Sequence, residues 1–176
     1  MEDCNPNATP TSQVALGADK DGEPMNESWN YKSIVGMLLY LSTNTRPDIA
    51  FAVSQVCRFS SNPKKSHASA VKTILRYLKG TQDKGTIIRP SENQFSLDLY
   101  VDADFCGLFN REDPRDPNSS KSRTGYIIKL GGWPIVWKSQ LQTHISLSTT
   151  EAEYSALSSA LKTLMHSRAK DHQGND

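Results

Sequence analysis

Asp98, Asp102 and Asp104 stand at even positions in the run Phe95 to Phe105, where Phe95, Leu97, Leu99, Val101, Ala103 and Phe105 take the odd ones. Alternation of period two is the signature of a strand with one face buried, so the three carboxylates share the other face. Further along, Glu151 and Glu153 open a stretch of helix-forming composition, Ala152 to Met165. At 100° per residue Glu153 falls in line with Leu157, Ala160, Leu161 and Leu164, and Glu151 projects on nearly the opposite side. The wheel therefore turns Glu153 inward, toward a sheet. A carboxylate in an apolar stripe is costly unless it is hydrogen-bonded, protonated or bound to a metal. Oxygen-only ligation favours magnesium or manganese, and a divalent cation would also relieve the repulsion among clustered acids. Such a set fits metal-assisted hydrolysis of a phosphodiester, in which paired ions about 3.5–4 Å apart activate water and stabilise the leaving oxygen. The competing readings are a solvated strand face for Asp102 and Asp104 and, for Glu153, a boundary residue that leans to solvent or pairs with a lysine.

Other chemistries find less support. His67, His144, His166 and His172 are scattered without the spacing of a zinc helix and read as surface residues. There is no G-x-S-x-G elbow and no Gly-rich phosphate loop. Cys4, Cys57 and Cys106 lie far apart with no C-x-x-C pair, which suggests neither a disulfide framework nor structural zinc and fits a reducing compartment. Trp133 and Trp137, on one face of the same strand, read as core in preference to a base-stacking platform.

The elements that must carry these residues follow from the pattern. Residues 1–28 are rich in Asn, Asp, Thr, Pro and Gly, lack apolar periodicity and read as a disordered linker. From Tyr31, Ile34, Val35, Leu38, Leu39 and Leu41 recur at helical spacing up to Ser42–Thr45. A second helix is expected from Arg46, with Pro47 and Asp48 in its first turn, up to about Phe59. A third runs from a cap at Ser66 to Lys79, stopped by Gly80. It presents Lys72, Arg76 and Lys79 beside the Lys64–Lys65 pair: either an ordinary solvated face or a contact for a phosphate backbone. After the Asp-rich strand and a polar segment, Arg123 to Leu130 and Trp133 to Trp137 form a hairpin turned at Gly131–Gly132. The spacing of Ser148 and Glu151 is that of a capping box opening the last helix.

The 176 residues carry 20 Lys plus Arg against 19 Asp plus Glu, which excludes a polybasic, histone-like chain. The near-zero sum is polarised, basic from Thr45 to Lys84 and acidic from Glu92 to Asp116. The longest apolar run, Ile34 to Leu41, falls far short of a membrane span, and no segment reads as a signal peptide. Cytosol or nucleus is the expected location.

The runs from Tyr31 to Ser42 (YKSIVGMLLYLS), Asn44 to Ser54 (NTRPDIAFAVS) and Leu75 to Thr81 (LRYLKGT) resemble the region after the polymerase palm in copia-type retrotransposon Pol polyproteins. Tyr100 to Gly107 (YVDADFCG), Ser122 to Tyr126 (SRTGY), Trp137 to Gln140 (WKSQ) and Leu147 to Tyr154 (LSTTEAEY) resemble the ribonuclease H domain of the same polyproteins. The likeness covers residues 9 to 165 in the family's order. It implies an α+β chain: a small three-helix segment, then a partial ribonuclease H-like fold of three antiparallel strands and one helix. The implied organisation is a linker over 1–28, a helical connection or thumb-like segment of a reverse transcriptase over 29–84, the partial ribonuclease H-like domain over 85–165 and a disordered tail over 166–176. Such domains cleave the RNA strand of RNA–DNA hybrids with two magnesium ions held by four acids. By resemblance Asp102 and Glu153 are catalytic metal ligands for magnesium or manganese, Asp104 is not, and Glu151 is a helix-start residue. The hybrid would meet Lys64, Lys65, Lys72, Arg76 and Lys79, and the remainder of a Pol polyprotein is a further implied partner. The family's Trp-Ala-Gly after the first acids is Phe105-Cys106-Gly107 here. The family's later acids, beyond a further strand, have no counterpart in the tail from His166, so Asp171 and Asp176 take no ligand role. The expectation is an internal fragment, inactive alone, or a non-catalytic transposon remnant that binds nucleic acid.

Overall fold

The computed structural model describes residues 4–12, 16–85, 87–88, 96–109 and 116–171. The expected strand start at Phe95, the acids Glu112 and Asp113, and Asp176 lie outside these residues. The chain divides into two compact units, one holding the described residues up to Ile87 and the other those from Ile88.

In the first unit Asn30 opens helix α1 (Tyr31–Asn44), its side chain accepting from Ser33 N at 3.1 Å. A single 3-10 turn, Pro47–Ile49, leads into α2 (Ala50–Cys57), because the fixed φ of proline suits a first turn that needs no N–H donor. Helix α3 spans Lys65–Lys79. The stripe Tyr31, Val35 and Leu38 of α1 packs with Val53 and Val56 of α2 and Val71 and Ile74 of α3 into one core. The Tyr31 hydroxyl donates to Val56 O at 2.9 Å, and burial pushes its phenol above the ordinary value.

Two sequence expectations are corrected at α3. Ser66 does not cap it; the helix starts at Lys65, and the Ser66 hydroxyl donates instead to Asp19. His67 is not a surface residue but fully buried. Its Nδ1 accepts from Lys64 N at 2.9 Å, so the ring proton sits on Nε2 and is donated to Gly17 O at 2.8 Å. The ring stacks on Phe59 with centroids 4.1 Å apart. Satisfying both nitrogens removes the penalty for burying the imidazole.

Residues 16–28, read from composition as linker, lie along α3. Lys65 N donates to Glu23 O at 3.0 Å, Pro24 bridges Lys64, and Leu16, Met25 and Trp29 pack on the helical core. Backbone and carboxylate contacts hold the segment, which is why periodicity did not reveal it.

The second unit is a three-stranded antiparallel sheet in the order β1-β2-β3, with β1 Leu97–Asp104, β2 Arg123–Leu130 and β3 Trp133–Leu141. Gly131 and Gly132 turn the hairpin at φ 57° and 89°, the left-handed conformation a primed turn demands. A register shift at Ile128/Lys129 sets Trp133 opposite Leu130 but Trp137 opposite Ile127. The extra residue puts the two tryptophans on opposite faces, correcting the shared face expected from their spacing. Helix α4 (Thr149–Asp171) covers one face, where Leu99, Val101, Tyr126, Ile128 and Val136 meet Ala160 and Leu164. It continues six residues past Met165, since Ser-Arg-Ala-Lys extends an established helix at little cost. The architecture is the α+β class expected, with a partial ribonuclease H-like sheet and helix. Among the described residues no helix is long and apolar enough to cross a membrane.

The turn before α2 is tied to the end of α3 through Arg46. Its guanidinium grips the Asp48 carboxylate at 2.7 and 3.0 Å and donates to Thr81 Oγ1 and O, while the Tyr77 hydroxyl donates to Asp48 at 2.7 Å. The hydrogen bond from Arg46 holds the Asp48 carboxyl below its usual range. Because the folded value is lowered, this stability is present above the unfolded carboxyl value near ~4 and is lost as pH falls through the folded value. Asp48→Asn is expected to cost about 1–2 kcal/mol in urea unfolding at pH 7, a modest figure because the carboxylate is partly open to water. The gap between wild type and variant should close on acidification below pH ~4.

Candidate functional site

Along β1 the alternation holds from Leu99 to Asp104, whereas Leu97 is exposed and Asp98 half-buried at the start of the strand. Leu99, Val101 and Ala103 are half-buried, whereas Tyr100, Asp102 and Asp104 are exposed. Asp102 pairs across the ladder with Gly125, so no side chain stands opposite its carboxylate. Asp98, on the same face, lies opposite Lys129, whose ammonium sits 4.8 Å from the centre of the Tyr100 ring. Asp104 lies opposite Arg123 at the end of the strand. A Cβ at Gly107 would fall against the exposed Asp104 carboxylate, which would have to swing aside to admit it. Cys106 takes φ 48° within that turn, and its thiol donates to Ser120 O at 3.1 Å.

The start of α4 is fixed by three contacts. Ser148 Oγ accepts from Glu151 N at 3.1 Å, and Glu151 Oε2 accepts from Leu147 N at 2.7 Å. Gln142 is buried at the end of the hairpin; its amide donates to Thr124 Oγ1 and Ala152 O and accepts from the Ser146 hydroxyl. This residue, which joins β2, the loop and α4, carried no signal in the sequence: a lone glutamine has no period and no motif.

The buried row of α4 is Ala152, Ala156 and Ala160, each 0% exposed. Glu153 is therefore not inward, as the wheel implied, but exposed, in line with Leu157 and Leu161, which are themselves 39% and 42% exposed. Alanines let the helix lie close to the sheet, and the leucines that weighted the wheel flank the contact. The two acids leave α4 on opposite flanks. Glu151 joins Ser155, Ser158 and Lys162 along an open groove whose other wall is Gln140 and Gln142 of the β3 side. His144 crosses the groove mouth, its Nε2 3.0 Å from Ser155 Oγ. Glu153 stands on the other flank of the helix, away from this groove. Among the described residues no three His, Cys, Asp or Glu side chains come together as a metal centre.

On α3, Lys65, Lys72, Arg76 and Lys79 follow helical spacing, so the structure keeps them on one helix, with Lys64 just before it. Their charge is partly answered within the unit. Lys65 pairs with Glu23 at 2.9 Å, Lys72 pairs with Glu27 at 2.7 Å, and Lys79 Nζ donates to Cys4 O at 3.0 Å. Lys64 is half-buried and Arg76 exposed.

Gln142→Ala should lower unfolding free energy by about 2–3 kcal/mol, since it leaves buried partners unmade. Asp102→Asn and Glu153→Gln, both at exposed positions, should stay within about 0.5 kcal/mol of wild type in the same urea titration.

No protein-family model and no solved structure matches the chain. Among curated proteins it is 44% identical over 135 residues to "Retrovirus-related Pol polyprotein from transposon TNT 1-94" of Nicotiana tabacum, covering 77% of this chain and 9% of that one. It is 38% identical over 154 residues to "Retrovirus-related Pol polyprotein from transposon RE1" of Arabidopsis thaliana, covering 88% of this chain and 10% of the other. The chain thus spans about a tenth of the length of these polyproteins. A third relative, "Secreted RxLR effector protein 161" of Plasmopara viticola, is 41% identical over 130 residues, 74% of this chain and 85% of that protein.

Proposed function

The chain belongs to the retrovirus-related Pol polyproteins of copia-type transposons, and from that membership we propose that it is a ribonuclease H segment that engages RNA–DNA hybrids. The observation that carries the reading is the face of β1. A strand expected to hold the first metal ligand offers Asp102 to solvent opposite a glycine, on a sheet backed by the helix that bears Glu153. In this reading Asp102 and Glu153 are the carboxylates that hold magnesium or manganese. Such an ion would supply activation of a water and charge stabilisation at the leaving oxygen of the phosphodiester.

The donor type suits a hard cation, but the number does not. Asp102 lies on the sheet face turned away from α4 and Glu153 on α4 itself, and without a third ligand beside either they do not build a centre among the described residues. The contribution assigned to this chain is therefore binding and orientation. Gly125 sets no side chain opposite the Asp102 carboxylate, and in the first unit, taken by itself, the α3 cations would meet the phosphate backbone of the hybrid. A second reading, a non-catalytic segment that only binds nucleic acid, is favoured by the same missing third ligand.

A labelled RNA–DNA hybrid incubated with the full chain and magnesium distinguishes them. The expected outcome is binding whose affinity falls steeply with salt, with cleavage no greater than that of Asp102→Asn or Glu153→Gln. Product that forms with wild type and vanishes in both variants would establish the catalytic reading. Affinity indifferent to salt would remove the phosphate contacts from it.

A further inference from the structure

The acidic side chains of residues 16–28 meet α3 where its cations stand. Glu23 reaches Lys65, Glu27 reaches Lys72, and Asp19 accepts from Ser66. Glu23 and Glu27 are four residues apart in a segment without helix, and their partners are seven apart on α3, two turns or ~10 Å. An extended stretch of four residues spans ~13 Å, so one segment addresses both lysines in step. A carboxylate and a phosphate offer an ammonium group the same kind of oxygen acceptor.

We propose that residues 16–28 act as an internal competitor for the phosphate-contact face of α3, occupying Lys65 and Lys72 until a nucleic-acid backbone displaces the two glutamates. The inference rests on the nucleic-acid reading above and adds its regulation. Two features give the segment this character. Its position is set by contacts that do not involve the carboxylates: His67 Nε2 donates to Gly17 O and Lys65 N donates to Glu23 O. The Lys65–Glu23 pair is open to water, its side chains 72% and 75% exposed, and the Lys72–Glu27 pair is partly so at 41% and 27%, so a polyanion reaches the first more readily than the second, where Glu27 also accepts from Trp29 Nε1. Arg76, exposed one turn beyond Lys72, offers the first contact to an incoming phosphate. Each lysine then trades one carboxylate for one phosphate, and the glutamates are released to solvent.

Binding of a fluorescently labelled RNA–DNA hybrid to the full chain tests this, with wild type, Glu23→Gln/Glu27→Gln and Lys65→Gln/Lys72→Gln titrated across a salt series. The glutamine pair should bind about tenfold tighter than wild type near 0.1 M salt. Its plot of log affinity against log salt should be steeper by about two phosphate contacts, roughly 0.9 each. Saturating wild type with hybrid should also move the carboxyl carbon resonances of Glu23 and Glu27 toward those of solvated carboxylates, and this readout needs no variant to fold. Equal affinity and slope for wild type and the glutamate variant, with both weakened by the lysine variant, would overturn the competitor while leaving the phosphate face intact. Unchanged carboxyl resonances of Glu23 and Glu27 in the saturated wild type would overturn it as well. If no protein binds, or the lysine variant binds as well as wild type, the phosphate-contact reading itself fails and the competitor falls with it.

Discussion

The seating of α4 on the sheet depends on three alanines a turn apart. Ala152, Ala156 and Ala160 are fully buried, and nothing larger would allow the helix backbone to come as close to Tyr126 and Ile128. Once that row is fixed, every other residue of the helix has its direction assigned. Glu151 goes to the flank beside β3, Glu153 goes to the opposite flank, and Leu157 and Leu161 stay half in water. Gln142 locks the rotation by donating to Ala152 O from the end of the hairpin. The candidate site on this unit is thus set by small residues and one amide, and its acids follow from them.

That hierarchy explains what the sequence could tell and what it could not. The hairpin at Gly131–Gly132 and helix α1 were legible because each is specified locally, by glycines that adopt positive φ and by apolar residues recurring at helical spacing. The direction of Glu153 was not, because a helical wheel weighs side chains by hydrophobicity, and the close-packed row here is made of the least hydrophobic of the apolar residues. The faces of Trp133 and Trp137 failed for a related reason: period two survives only until a bulge inserts a residue, and that insertion has no signature in the sequence.

The acids of β1 were read by face correctly. Asp102 and Asp104 share the exposed side, as the alternation required. Asp104 ends the strand with its carboxylate close to Gly107, a proximity that spacing alone does not reveal. His67 shows the same limit. A histidine near a helix start among lysines looks solvated, yet here both ring nitrogens are spent on backbone groups 50 and 3 residues away, one of them in the N-terminal segment. Long-range backbone partners of this kind exist only in the folded chain.

The charge pattern gains a different meaning from these contacts. Read along the chain, the stretch from Thr45 to Lys84 is basic and the rest compensates at a distance. In the folded first unit the compensation is immediate: Asp48 answers Arg46, Glu23 answers Lys65 and Glu27 answers Lys72. Pairs a few ångströms apart have little field beyond a Debye length of about 8 Å at physiological salt, so much of the basic excess that the linear sequence displays is hidden from a distant polyanion. It becomes available only at contact, where a phosphate can compete for each lysine in turn. The two kinds of pair differ in what competition can reach. Arg46 is held on both sides of Asp48, donates also to Thr81 and is mostly shielded, so it remains part of the fold. Lys65 and Lys72 each hold one carboxylate from an extended segment, and that single, solvent-reachable bond is what makes α3 suited to exchange.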